Sequence, residues 1–254
     1  MSIIVLLSPA KKLNFEAPVP KMNYRAPSLM SKTNELIKTM KTISVDELSK
    51  LMHLSLELSS LNHDRYQKFE IKKPESVTMP AAFAFNGEVY AGLDVQSYDQ
   101  DDLAFADKHV KILSGLYGLL KALDFIQPYR LEMGTKLAIG ENKNLYEYWA
   151  HDICNEINSS IHKGDVLINL ASNEYFKAAK AKQIEARIIT PVFKDFRKGA
   201  YKTVMMYAKK ARGEMAKYIV KNKISDPEDL KSYGVNDYVY NEQLSSGDQW
   251  VFTR

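Results

Sequence analysis

The chain of 254 residues is 45% apolar and 26% charged, an ordinary globular balance, and its length suits one large α/β unit with a full core better than two domains. A single cysteine, Cys154, excludes an internal disulfide, and no CxxC or Cys/His spacing suits a structural zinc. The apolar run in "MSIIVLLSPAKK" is too short for a secretory signal and its lysines follow the run, while nothing approaches the roughly 20 apolar residues of a membrane span, so a reducing cytoplasm is the expected location.

In chain order, "SIIVLL" (residues 2–7) is a continuous apolar run ending at Ser8-Pro9, as in a strand buried on both faces. Residues 13–27 carry Pro18, Pro20 and Pro27 and read as an extended passage. Ser28 is placed to cap a helix running to about Thr42, Ser44 and Glu47 have capping-box spacing for the next, and a third helical stretch spans roughly 54–69. "AAFAFNGEVYAGL" reads as a strand and turn, with Asn86-Gly87 the turn between two apolar pieces. Acidic "DQDDLAFADKH" opens a helix, since negative charge in a first turn complements the helix dipole.

"VKILSG" and "DVLINLAS" are two further buried strands, each expected to lead into a helix. Within residues 112–134, "ILSGLYGLLKALDFIQPYRLEMG", the pattern predicts a strand, a glycine turn, a short amphipathic helix and a polar loop. "ARIITPVF" and "AYKTVMMY" pair across a basic turn, and "AKKARGEMAKYIVKNK" is a helix that Lys209, Lys210 and Arg212 open. Alternating strands and helices with a late antiparallel pair predict a mixed α/β sheet.

The formal charge of +4 is unevenly placed. Residues 177–223 hold 14 Lys/Arg against three acids, a local balance of +11 that leaves −7 elsewhere. Clustered cations of this kind release counterions from a polyanion, although a solvated basic face is the bland alternative.

Ligands of open α/β sheets gather beyond the carboxyl ends of strands. Three such ends are alike here: Ser8 to Lys11, Ser114 to Gly118 with Tyr117 between, and Ser172 to Lys177 with Glu174 and Tyr175 between. Gly115 and Gly118 either turn a strand into a helix or form a helix-hairpin-helix turn whose N–H groups meet a DNA phosphate; two residues separate them where that hairpin usually has one. Arg130 and Glu132, two apart, share a side of an extended segment, where the arginine fork is held by the glutamate or the two form a plain ion pair. Tyr146 and Trp149 give one aromatic helix face, more readily core than stacking surface. The five histidines show no metal-ligand spacing, and no Walker loop, GxGxxG or GxSxG is present.

Taken in order, "LLSPAKKL", "AFNGEVYAGL", "LSGLYGLLKALDFIQPYRLEMG", "NLYEYW", "INLASNEYFK", "TPVFKDF" and "YAKKARGEMAKYI" resemble the YaaA-type peroxide stress protein family across nearly the whole chain. The resemblance implies a compact mixed α/β fold in one domain over residues 1–254, with a positively charged cleft and a helix-hairpin-helix-like element. It further implies DNA as partner and a role in peroxide resistance. The family blocks fall on Ser8 and Lys11, on Gly115, Tyr117 and Gly118, on Gln127, Tyr129, Arg130 and Glu132, on Ser172, Glu174 and Tyr175, and on Lys209, Lys210 and Arg212.

Three functions follow as expectations. The first is a non-enzymatic DNA binder, monomeric and without cofactor, metal or membrane contact, whose expected DNA or anion contacts are Ser8, Lys11, Gly115, Tyr117, Gly118, Arg130, Ser172, Tyr175, Lys177, Lys209, Lys210 and Arg212. The second is an enzyme acting on damaged DNA or a phosphorylated small molecule, with Lys11 or Lys209 as nucleophile and Glu132 or Glu174 for proton transfer. The third limits the free iron that converts peroxide into hydroxyl radical.

Overall fold

In the computed structural model, which describes residues 2–23, 25–71 and 77–254, the N-terminal aliphatic run forms strand β1 (Ile3–Leu7), buried at all five positions. Such a strand needs neighbours on both edges and cover on both faces, and the rest of the chain supplies them. β2 (Lys12–Leu13) precedes three helices, α1 (Met30–Thr42), α2 (Val45–Met52) and α3 (Leu56–Gln67). The Ser44–Glu47 capping box closes reciprocally at α2, whereas α1 begins after Leu29 with no side-chain cap, so Ser28 does not serve there.

The next elements are β3 (Met79–Pro80), α4 (Ala81–Ala84), β4 (Phe85–Asn86), α5 (Glu88–Leu93), α6 (Gln100–His109), β5 (Val110–Ser114), β6 (Gly118–Lys121) and β7 (Phe125–Ile126). They are followed by α7 (Leu145–Trp149), α8 (Asp152–Asn158), β8 (Val166–Asn169), α9 (Asn173–Phe176), β9 (Arg187–Arg197), β10 (Ala200–Lys202), α10 (Met205–Lys221), β11 (Val239–Tyr240) and β12 (Gln249–Thr253). The main sheet has the order β11-β12-β9-β8-β1-β5-β6, with β10 on β9. Pairing is parallel from β12 through β9, β8 and β1 to β5, and antiparallel at β11, β6 and β10. The fold is therefore the expected mixed α/β unit.

Three local expectations are corrected. "GLLKAL" is not a helix: Gly118–Lys121 folds back on Val110–Ser114 as an antiparallel strand, because the apolar residues of so short a run satisfy either periodicity. The helix-hairpin-helix-like element implied for Gly115–Gly118 is accordingly a β-hairpin turn. "AAFAFNGEVYAGL" keeps only Phe85–Asn86 of its expected strand: two short helices, α4 and α5, flank the two-residue β4, and Gly87 caps α5 where a turn was expected. The last helix begins at Met205, so Lys209, Lys210 and Arg212 lie in its second turn and beyond rather than opening it.

The passage before α1 is held by Arg25, whose guanidinium donates to both Asp107 oxygens at 2.6 and 2.5 Å and to Asp124 at 2.7 Å. Helix α10 packs on α5, β9 and β1. A Cβ at Gly213 would stand 1.8 Å from the Val89 carbonyl oxygen, and one at Gly92 would stand 2.2 Å from that of Lys210. These two glycines let the helix backbones touch, an approach no other residue permits without displacing a helix. Gly213→Ala is expected to destabilise the protein by about 1–3 kcal/mol through overpacking, read as a fall in urea midpoint, whereas Gly234→Ala, where a Cβ meets nothing within 4 Å, should leave it nearly unchanged.

Candidate functional site

Parallel pairing puts the carboxyl ends of β1, β5, β8, β9 and β12 on one edge of the sheet. The Ser8 hydroxyl, just past β1, accepts from the Ser172 N–H at 2.8 Å and donates to the Ser172 hydroxyl at 3.3 Å, clipping two strand ends together. Tyr90 of α5 donates to the Ser8 carbonyl at 3.0 Å. Ser8 and Ser172 are thus brought together as the strand-end rule predicts.

Ser114 has a different role. Its hydroxyl oxygen accepts from the N–H groups of Leu116 and Tyr117 at 3.2 and 2.9 Å and lies 2.7 Å from the Tyr129 hydroxyl. The Tyr117 hydroxyl accepts from the Gln127 N–H, and the Trp149 indole donates to the Gly115 carbonyl. Residues 111–120 are all buried. A Cβ at Gly115 would stand 2.3 Å from the Leu131 carbonyl oxygen, and Gly118 sits at φ +70° beneath the Trp149 ring. Gly115, Tyr117 and Gly118 therefore build the interior, and the turn has no exposed N–H to offer a phosphate. Burial pushes the Tyr90, Tyr129 and Tyr175 hydroxyls above their ordinary range, so these groups stay protonated.

The charged group of the site is a triad of side chains. Glu132 accepts from Arg130 Nε and Nη2 at 3.2 and 2.9 Å and pairs with Lys11 Nζ at 2.7 Å. Partial burial raises the Glu132 carboxyl, but the hydrogen bonds from Lys11 and Arg130 outweigh it and hold the group below its usual range. Glu132 is thereby kept ionised, and Lys11 is tied to a carboxylate where Schiff-base chemistry would need a free amine lone pair.

Glu174 lies alongside. One carboxylate oxygen accepts from the Gly134 N–H at 3.0 Å, its carbonyl accepts from Tyr146, and Lys177 Nζ sits 4.7 Å over the Tyr146 ring. Glu132, Gly134, Lys136 and Glu174 face Lys50 and His53 at the end of α2 across a cavity of about 460 Å³. Lys50, His53 and Lys136 were not foreseen from sequence, because nothing local marks a helix end as meeting a loop some 80 residues away.

Lys209, Lys210 and Arg212 stand apart, and no hydrogen bond or ion pair among the described residues joins them to the Ser8–Glu174 cluster. Lys210 lies 3.7 Å from Glu214. Arg212 is half-buried, burial pushes its guanidinium down, and among the described residues it has neither hydrogen bond nor ion pair. Across residues 177–223, nine of the 14 cations make no ion pair with a carboxylate among the described residues. No group of three or more His, Cys, Asp or Glu among the described residues is arranged to hold a metal ion, and no helix there is long and apolar enough to cross a membrane.

Comparison with known proteins adds a family. Residues 3–244 match the family model described as peroxide stress protein YaaA. Similar relatives include a UPF0246 protein of Saccharophagus degradans, 45% identical over 99% of each chain, and one of Alteromonas mediterranea, 47% identical over 99% of this chain and 98% of its own. A UPF0246 protein of Ralstonia pickettii is 44% identical over 99% of both.

Because its carboxyl is depressed on folding, Glu132 contributes stability that is present above its ordinary value of 4.5 and lost as pH falls through the lowered folded value. Glu132→Gln should therefore cost up to about 1 kcal/mol at pH 7, given how exposed Lys11 is. Urea titrations of both proteins should show the difference shrinking below pH 4.5.

Proposed function

This chain belongs to the YaaA family of peroxide stress proteins, and from that premise we propose that it binds DNA through its unpaired basic surface and shields the bound strand during oxidative stress. The observation that carries this reading is the surplus of cations over carboxylates in residues 177–223, most of them without a carboxylate partner among the described residues. Protein–protein charge networks consume such cations in pairs, whereas a phosphate backbone neutralises them one by one and releases counterions.

Arg212 supports the reading most sharply. An unpaired, half-buried guanidinium costs stability, and an arriving phosphate oxygen would satisfy it with charge-assisted hydrogen bonds. Lys209 and Lys210, exposed on the same helix, would extend the interface along the backbone. Limiting free iron is a separate route to the same protection, and anaerobic calorimetry with Fe(II) tests it directly, an absence of heat removing it.

A second reading rests on the cavity between Glu132, Glu174, His53 and Lys136. Its mixture of carboxyl groups, an imidazole and lysines is richer than phosphate binding requires, and suits an enzyme acting on a damaged nucleotide or a phosphorylated small molecule. Borohydride trapping on abasic DNA tests a lyase; an adduct lost in Lys11→Ala would support it.

For the first reading, fluorescence anisotropy across a salt series should show affinity falling steeply with salt. The Lys209→Ala/Lys210→Ala/Arg212→Ala variant should flatten the slope by roughly 0.9 for each phosphate it no longer neutralises, and an unchanged slope would remove these residues from the interface. Arg212→Met should raise the melting temperature while weakening DNA binding, since it removes a buried charge that only the ligand satisfies.

A further inference from the structure

Strand β9 outruns its neighbours. Ile168 of β8 pairs with Ile189, and β8 ends at the next residue, yet β9 continues to Arg197. At about 3.3 Å per residue the overhang reaches roughly 20 Å beyond the end of β8. Lys198 and Gly199, at φ 51° and 80°, form the two-residue turn that returns the chain as β10, the backbone a tight hairpin of this twist demands.

The inner side of this arm is anchored. Phe193 is buried against Tyr238 and Phe252, and buried Asp195 accepts from Tyr238 at 3.0 Å and from Arg254 at 2.7 Å. The outer side carries Phe196 and Tyr201, directly opposite in register with rings 5.2 Å apart, and they are 58% and 41% exposed. Lys194 shares their face and Lys198 stands at the turn, while Arg197, over the Tyr207 ring, and Lys202 flank them from the other face of the ribbon; none of the four makes an ion pair among the described residues. Asp195, the arm's one acid, is turned inward and already occupied.

We propose that the β9–β10 arm is a base-contacting finger, in which Phe196 and Tyr201 stack on unpaired or unstacked bases while the flanking cations hold the phosphate backbone. The inference deepens the DNA-binding reading and rests on it. A protein-binding patch would have few lysines at its centre, whereas exposed aromatics interleaved with unpaired cations match what a single strand presents: a π-face on every base and a charge on every phosphate. A two-stranded ribbon is also narrow enough to enter a groove and wedge an apolar side chain into an opened step. The aromatic pair stabilises the hairpin, but that gain does not require both rings to remain in water.

The test compares labelled fully paired duplex with the same duplex carrying an unpaired bubble containing 2-aminopurine. Intact protein is expected to bind the bubble more tightly and to change the 2-aminopurine emission. Phe196→Ala/Tyr201→Ala should weaken bubble binding about tenfold, leave duplex binding within about twofold and abolish the emission change. Phe196→Leu/Tyr201→Leu, which keeps apolar bulk on the strands, should also lose the preference, and it replaces the alanine variant if that one melts early. Unchanged bubble affinity, or an equal loss on both DNAs, would overturn the finger while leaving DNA binding standing. Absence of binding by the intact protein to either DNA at low salt would remove the DNA-binding reading, and the finger with it.

Discussion

Parallel pairing around β1 is the constraint from which the rest of the molecule follows. A strand apolar at every position cannot lie at an edge or face water, so β5 and β8 flank it in the same direction and helices cover it. Parallel strands point their carboxyl ends the same way, and β1 and β8 stop at nearly the same level, so Ser8 and Ser172 meet at one edge. β9 and β12 share the direction, and the arm built on β9 therefore projects from that same edge. The polar cluster and the basic arm lie at one edge of the sheet because of strand direction, before any side chain has been chosen.

The two halves of this edge handle charge in opposite ways. Around Glu132 the charges satisfy one another: Lys11 and Arg130 converge on a single carboxylate, and Glu174 is held by the Gly134 N–H. Along β9, β10 and the first half of α10 the cations are mostly left open. The first arrangement fixes geometry at little electrostatic cost. The second accepts self-repulsion, which argues that the compensating charge comes from outside the chain.

Sequence reasoning succeeded where a feature is encoded locally. The aliphatic runs of β1, β5 and β8, the Ser44–Glu47 box and the Arg130–Glu132 pair all depend on residues within a few positions of one another. It failed at Gly118–Lys121, whose four residues suit a helix or a strand until β5 supplies a partner. It failed again at Gly115 and Gly118, which spell an exposed turn in sequence but lie beneath Leu131 and Trp149. Meetings of distant segments, such as His53 facing Glu132 or Gly213 on Val89, leave no local trace. Tyr201 was legible as a strand residue and Phe196 only as part of the basic turn, and the exposure of neither was legible, because it depends on how far β9 outlasts its neighbours.

That overhang also separates the arm from the core mechanically. Beyond Lys194, the last residue of β9 in register with β12, the ribbon is held chiefly by its own cross-strand bonds, by the Arg254 carbonyl and by inward-facing Asp195. Adding or removing two residues on each strand at the Lys198-Gly199 tip would change its reach by roughly 7 Å without disturbing the buried core. Reach is therefore a nearly independent variable of this fold, free to be adjusted to a partner while the sheet and its polar cluster stay as they are.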